Sequence, residues 1–244
     1  TGTIAGLSTA IAGSNGIINM QATVSGALIN RGSIGGYTGI QISSGTIGGG
    51  FLNTGTITSG NKGVFVSKQS LAGGFNNSGF ISSSSTYGVQ IGPFSVPGSP
   101  AVLLNGGFTN TGTITGGNYG VYIGPISIVG AIINTGSIAG GNGLLIPAFA
   151  GFSGISGNIS NSGVIQGSTS SISLSNSTNP FIFVNSGTLI GAVNIGRNQL
   201  LLSGGTVQGL ITSTAGNTLT LGSVVEAQSA RTPTARLVSA SRLN

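Results

Sequence analysis

The sequence predicts an all-β chain: a single right-handed parallel β-helix (β-solenoid) of about 24 residues per coil, followed by a short non-repeat C-terminal tail. Three observations predict it. The motif Asn-x-Gly-x-Ile/Leu recurs seven times, apolar and polar residues alternate with a period of two around each copy, and 47 of the 244 residues are Gly. A repeat of this length, made of short strands and tight Gly turns, signals a solenoid, in which a coil buries its inward face only when a neighbour stacks on it.

The motif begins at Asn30, Asn53, Asn77, Asn110, Asn134, Asn161 and Asn185, with one large and one small insertion between copies. Two residues before each Asn stand Leu28, Phe51, Phe75, Phe108, Ile132, Ile159 and Phe183. Four residues after it stand Ile34, Ile57, Ile81, Ile114, Ile138, Ile165 and Leu189. The residues next to Asn are polar (Arg31, Thr54, Ser78, Thr111, Thr135, Ser162, Ser186), which gives the two-residue period of a strand. After a Gly/Ser turn come the paired apolars of a second strand, such as Val64 and Val66 or Val121 and Ile123. A third apolar column, Val24, Ile47, Leu71, Leu104, Ile128 and Ile155, lies six residues before each Asn. Three short strands per coil follow, stacked at about 4.8 Å so that backbone pairs with backbone and Ile sits on Ile.

In this reading the Asn column is structural. Stacked amides hydrogen-bond in a ladder, because buried polar groups must be paired, and Gly lets the chain turn without a Cβ. The Ser/Thr columns beside it are a solvated face. Residues 1–23 read as an irregular first coil. Segments such as Gly205-Thr206-Val207-Gln208-Gly209-Leu210-Ile211 and Gly216-Asn217-Thr218-Leu219-Thr220-Leu221 add one or two coils after the last motif. The β-helix is assigned to residues 1–223, and residues 224–244, richer in Arg, Ala and Gln, form a tail, linker or assembly arm.

Composition excludes most chemistry. The chain has no Cys, His, Trp or Asp and a single acid, Glu226. It therefore lacks the paired carboxylates of glycosidic chemistry, a neutral-pH acid/base set and a metal-ligand cluster, and no cofactor or enzymatic activity is expected. Charged residues make up 3% of the sequence, against about 25% in ordinary soluble domains. The net charge of +6 comes from seven scattered basic residues without the clustering and aromatic interleaving of a nucleic-acid binder. No apolar run approaches the roughly 18 residues needed to span a bilayer. No signal-peptide pattern precedes the repeats, and the absence of Cys fits a secreted bacterial protein.

Stretches such as Phe108-Thr109-Asn110-Thr111-Gly112-Thr113-Ile114 and Gly120-Val121-Tyr122-Ile123 resemble the repeats of bacterial autotransporter passengers and related β-helical adhesins, over about residues 24–190. The resemblance implies a secreted or surface-exposed protein on the bacterial outer-membrane exterior, folding there as a stiff rod, with a host-surface or matrix ligand among its partners. Such passengers usually carry Asp and Glu, so the near absence of acid is a departure. It suits an assembly in which charge repulsion would be unhelpful.

The expected function is structural or adhesive: a self-associating filament protomer or an adhesin stalk, stacking end to end as a homo-oligomer. A carbohydrate-acting β-helix enzyme is the alternative, disfavoured by composition. An ice- or surface-binding module is another, disfavoured because Arg31, Phe80 and Val164 interrupt the Thr-x-Thr pairs. Two contact regions are expected. Loops after the second strand put Phe94, Ile126 and Phe149, with Tyr122 and Leu145 at outward positions of the strand itself, on a lateral interface, or else each loop folds back over its own coil as a satellite core. End contacts use Ile4, Leu219 and Leu221 together with Val224, Val225, Leu237 and Val238 of the tail, which docks on a neighbour or runs on as a linker.

Overall fold

The structure is a computed structural model, and it describes residues 18–20, 23–43, 45–67, 69–92, 102–124, 126–147, 154–174, 180–213 and 219–221. None of the described residues is helical, and every paired strand runs parallel to its partner. The strands form three sheets that wind into one β-solenoid. A nine-stranded sheet stacks the seven strands that end on the motif Asn, from Leu28–Asn30 through Phe75–Asn77 and Phe108–Asn110 to Ile182–Asn185, and then Gln199–Leu202 and Leu219–Leu221. A twelve-stranded sheet holds the strands that follow the motif, and a five-stranded sheet runs from Gly45–Ile47 to Gly154–Ile155.

Register is set by the apolar columns. Phe51 pairs with Phe75, Phe75 with Phe108, and Phe108 with Ile132. Ile57, Ile81, Ile114, Ile138 and Ile165 pair in turn, as do Val64, Val89, Val121, Leu144 and Ile172. A one-residue slip would turn every one of these side chains from the core to solvent, so the pattern tolerates a single register. The core is a continuous rod of such residues, most of them at most 2% exposed.

Two details differ from the expected three short strands per coil. In five coils the two strands after the motif run together: Ser33–Ile42, Thr56–Val66, Ser137–Ile146, Val164–Leu174 and Thr188–Asn194. Pairing is carried through the corner by irregularities such as those between Gly36 and Thr38 and between Gly140 and Asn142, where one extra residue bends the strand without ending it. Elsewhere the corner is sharper and the strand divides, as at Thr113–Gly116 and Tyr119–Ile123.

The column before the motif shows how like stacks on like. Phe75 lies between Phe51 at 4.8 Å, tilted by 30°, and Phe108 at 4.9 Å, parallel within 8°. Offset ring contacts of this kind add about 0.5–1.5 kcal/mol to area burial. Phe75→Ala removes a fully buried ring and both contacts, and should lower the unfolding free energy by about 3–5 kcal/mol, measured by denaturant titration.

Candidate functional site

The Asn column sits at the inward end of seven strands of the nine-stranded sheet, and all seven side chains are at most 1% exposed. Each amide Nδ2 donates to the Oδ1 of the next Asn towards the C-terminus. The bonds run Asn30 to Asn53 (2.7 Å), Asn53 to Asn77 (2.7 Å), Asn77 to Asn110 (2.8 Å), Asn110 to Asn134 (2.8 Å), Asn134 to Asn161 (2.7 Å) and Asn161 to Asn185 (2.7 Å). The second amide proton has its own acceptors in the corner: Asn110 Nδ2 also lies 3.2 Å from Gly112 O and 3.1 Å from Ser137 O. At the first rung Gly32 N donates to Asn30 Oδ1 at 3.2 Å. Beyond the last rung, the strand partner of Asn185 is Leu202. The amide dipoles all point one way, so each bond polarises the next. This arrangement saturates the buried amides internally and leaves them no capacity for a ligand.

Backbone at the same corner explains the motif Gly. Asn77 O accepts from both Thr111 N (2.8 Å) and Gly112 N (3.1 Å) of the next coil, drawing the two corners together. A Cβ on Gly112 would lie 2.7 Å from Ser78 C and closer still to Gly79 O. The same clash with the preceding Gly carbonyl recurs at Gly55, Gly79, Gly136, Gly163 and Gly187. Gly is required here by the closeness of the coils.

The expected lateral interface is not assembled as such. Ile126 is fully buried within the core cluster and begins the strand Ile126–Val129, so it faces inward. The reason is strand phase: Ile128 two residues on is an inward residue, and alternation puts Ile126 on the same side. Tyr122 is 2% exposed, held edge-on against Tyr87 (5.6 Å, 70°) and Tyr119 (6.0 Å, 72°), and Leu145, its strand partner, is half-buried. Phe94 and Phe149 lie outside the described residues, as do the end-contact residues Ile4, Val224, Val225, Leu237 and Val238. Leu219 and Leu221 belong to the last described strand, paired with Leu200 and Leu202.

What the motif reading missed is a second cluster, on the outer side of the twelve-stranded sheet. Thr38, Lys62, Tyr87, Tyr119 and Asn142 form one column across five coils, and Gln41, Phe65, Gln90, Tyr122 and Leu145 form the next. The Tyr87 and Tyr119 rings stack at 4.9 Å within 7° of parallel. Lys62 Nζ lies 3.9 Å over the Phe65 ring and 5.9 Å from that of Tyr87, both within cation–π range. Tyr37, in the coil before Lys62, is 59% exposed. Tyr87, Tyr119 and Tyr122 thus lie together on this strip, and Tyr37 stands beside Gly60 in the coil before them. The signal available in sequence was the residue before Gly-Val in three successive coils: Lys62, Tyr87, Tyr119.

Burial shapes the titration of this strip. It lowers the Lys62 pKa from the ordinary lysine value, and it raises Tyr87 well beyond the usual tyrosine range, with smaller contributions from Tyr119 and Tyr122. Burial, then Tyr119, pushes Tyr122 up to about 12. Because the folded state holds these protons more tightly, the stability they confer is fully present below the unfolded tyrosine value of about 10. It is lost as pH rises from there through about 12. Ultraviolet titration of tyrosinate should show Tyr122 ionising near that upper value. Ionisation of Tyr87 and Tyr122 near pH 10 in the folded protein would contradict the packing.

Among the described residues no group of His, Cys, Asp or Glu is placed to hold a metal ion, and no helix is long and apolar enough to cross a membrane. No protein-family model matches the chain, and no curated protein or solved structure proves significantly similar to it.

Proposed function

We propose that the chain is a segment of an extracellular structural or adhesive rod, a filament protomer or adhesin stalk that self-associates end to end, secreted or exposed on a bacterial surface. One observation carries the reading: the columns keep one register from coil to coil, so nothing in the packing sets a length. Each coil in such a stack is stabilised by its immediate neighbours, and any coil with matching columns extends it. Among the described residues the outermost strand, Leu219–Leu221, is paired on one side only, which leaves its other edge for a further coil of the same chain or of a second copy. The outermost coil also carries Leu210, 58% exposed. Charged residues make up only 3% of the sequence, so repulsion between neighbouring copies comes from few, scattered sites that salt screens.

Negative-stain imaging of the purified protein tests this. A single chain of about nine rungs at about 4.8 Å each is a rod of roughly 45 Å. Longer, unbranched rods are expected, shortened by Leu210→Lys, which places a charge on the outermost coil without touching the core. Monodisperse particles of one chain's length at every concentration would overturn end-to-end association.

A further inference from the structure

We propose that Tyr87 and Tyr119 form an oxidative cross-linking site, at which a one-electron oxidant joins the two rings as dityrosine and staples consecutive coils of the solenoid together. The inference goes beyond the structural reading above and does not depend on assembly into rods.

Inventory is the first argument. The chain has no Cys, Trp or His, one Met and four Tyr, so its oxidisable side chains are almost all phenols. Three of the four stand in one cluster, with ring centroids 4.9, 5.6 and 6.0 Å apart. A chain without Cys has no disulfide to lock one coil to the next. A pair of phenols is the side-chain couple left in it that oxidation can join.

Geometry is the second argument. Two phenoxyl radicals couple through the π lobes of the ring carbons beside the oxygens, so the rings must meet face to face, and holding them so replaces a chance encounter by a positioned one. Tyr87 and Tyr119 meet this condition: they are strand partners in adjacent coils, with rings 4.9 Å apart and within 7° of parallel. Tyr122 is nearly as close to both, but it stands edge-on at 70° and 72°, which keeps its lobes from facing theirs. The parallel ladder fixes both backbones, so the stacked pair is presented in one orientation.

Access is the third argument. Tyr119 is half-buried and within reach of an oxidant, whereas Tyr87 is 5% exposed beneath it. The oxidant takes one electron from Tyr119, and the phenolic proton leaves to water. An electron then crosses the stack from Tyr87, whose proton follows, and a second equivalent of oxidant oxidises Tyr119 again. The two radicals form a carbon–carbon bond between positions ortho to oxygen, and the hydrogen on each of these carbons shifts to its ring's oxygen. In sum two electrons and two protons leave, two one-electron equivalents are reduced, and both hydroxyl groups are kept. The link closes a loop of one coil and restricts the unfolded chain as a disulfide would.

The test oxidises the full chain, dilute enough that copies rarely meet, with photo-excited ruthenium tris-bipyridyl and persulfate, a one-electron oxidant small enough to reach a half-buried ring. Intact-mass spectrometry should find single chains lighter by two hydrogen atoms and showing dityrosine fluorescence, and digestion should place the link between Tyr87 and Tyr119. The linked chain should unfold at a higher temperature than the untreated one. Tyr119→Phe keeps the ring stack and removes one phenol, so it should abolish this link while circular dichroism and thermal unfolding stay close to the parent. Tyr122→Phe and Tyr37→Phe should leave the link in place, and oxidation in denaturant should scatter links among the four tyrosines. Absence of the intramolecular product, a link made chiefly to Tyr122 or Tyr37, undiminished yield in Tyr119→Phe, or the same preference in the denatured chain would each overturn the proposal.

Discussion

Replacing Gly112 with Ala should lower the unfolding free energy by about 3 kcal/mol or more, an effect larger than one added methyl group usually produces. The added Cβ points along the solenoid axis into the preceding corner, 2.7 Å from Ser78 C and 2.9 Å from Gly79 N. The atoms it meets are backbone atoms held by the paired bonds to Asn77 O, so relief requires the two coils to separate. Gly60→Ala is the matched control. Its Cβ would meet nothing nearer than the Tyr37 ring at 3.6 Å, and its backbone is not in the left-handed region. That substitution should leave stability unchanged or raise it by about 0.5 kcal/mol through the unfolded chain. Chemical denaturation of the two variants side by side reads the difference. Equal effects would show that coil separation is not what selects Gly at the motif.

Asn110→Leu should cost about 3 kcal/mol, although Leu keeps the branched heavy-atom skeleton of Asn and is more apolar. The substitution leaves the donor of Asn77 and the acceptor of Asn134 without their ladder partners inside a closed core, and an unsatisfied buried group costs about 1–3 kcal/mol. Asn185→Leu should cost about half as much, because its strand partner beyond the ladder is already Leu202 and only one ladder bond, that from Asn161, is broken. Asn110→Asp should be worse than Leu at neutral pH and partly recover as pH falls. An ionised carboxylate there faces the Oδ1 of Asn134 in an apolar surround, which raises its pKa, and only the protonated form donates the missing bond. A loss independent of pH, or equal for positions 110 and 185, would contradict a directional ladder.

Much of this architecture is legible in the sequence because each coil repeats the same solution. Asn, the apolar residue two before it and the Ile four after it fall in fixed columns, and in-register stacking converts sequence columns directly into core columns. The Asn column was legible as a ladder, but its direction was not, since an amide written as Asn does not say which way its donor points. Ile126 was misread as part of a loop because Gly124-Pro125 reads as a turn signal, yet the strand Ile126–Val129 begins at Ile126 and its alternation puts that side chain inward. Tyr122 was misread as an outward side chain open to solvent. Its position is outward, but the Tyr119 ring of its own coil and the Tyr87 ring of the coil before bury it, and the contact with Tyr87 joins residues far apart in sequence. Aligning on the Asn motif drew attention to the inner columns. The outer strip of Lys62, Tyr87 and Tyr119 emerges only when the coils are aligned on Gly-Val instead.

The account rests on parallel coils in one register, and a pair of engineered cysteines tests that most directly, because the chain has none of its own. Thr113 pairs with Ser137 in the next coil, both on the half-buried outer side of adjacent strands. Neighbouring strands lie about 4.8 Å apart, within the Cα range that a disulfide spans. Thr113→Cys with Ser137→Cys should close an intramolecular disulfide on mild oxidation, detected by mass spectrometry of the intact and digested chain. Thr113→Cys with Ala139→Cys, displaced two residues along the strand to more than about 7 Å, should remain reduced. A disulfide in the second pair and none in the first would contradict the register on which the core, the Asn ladder and the aromatic strip all depend.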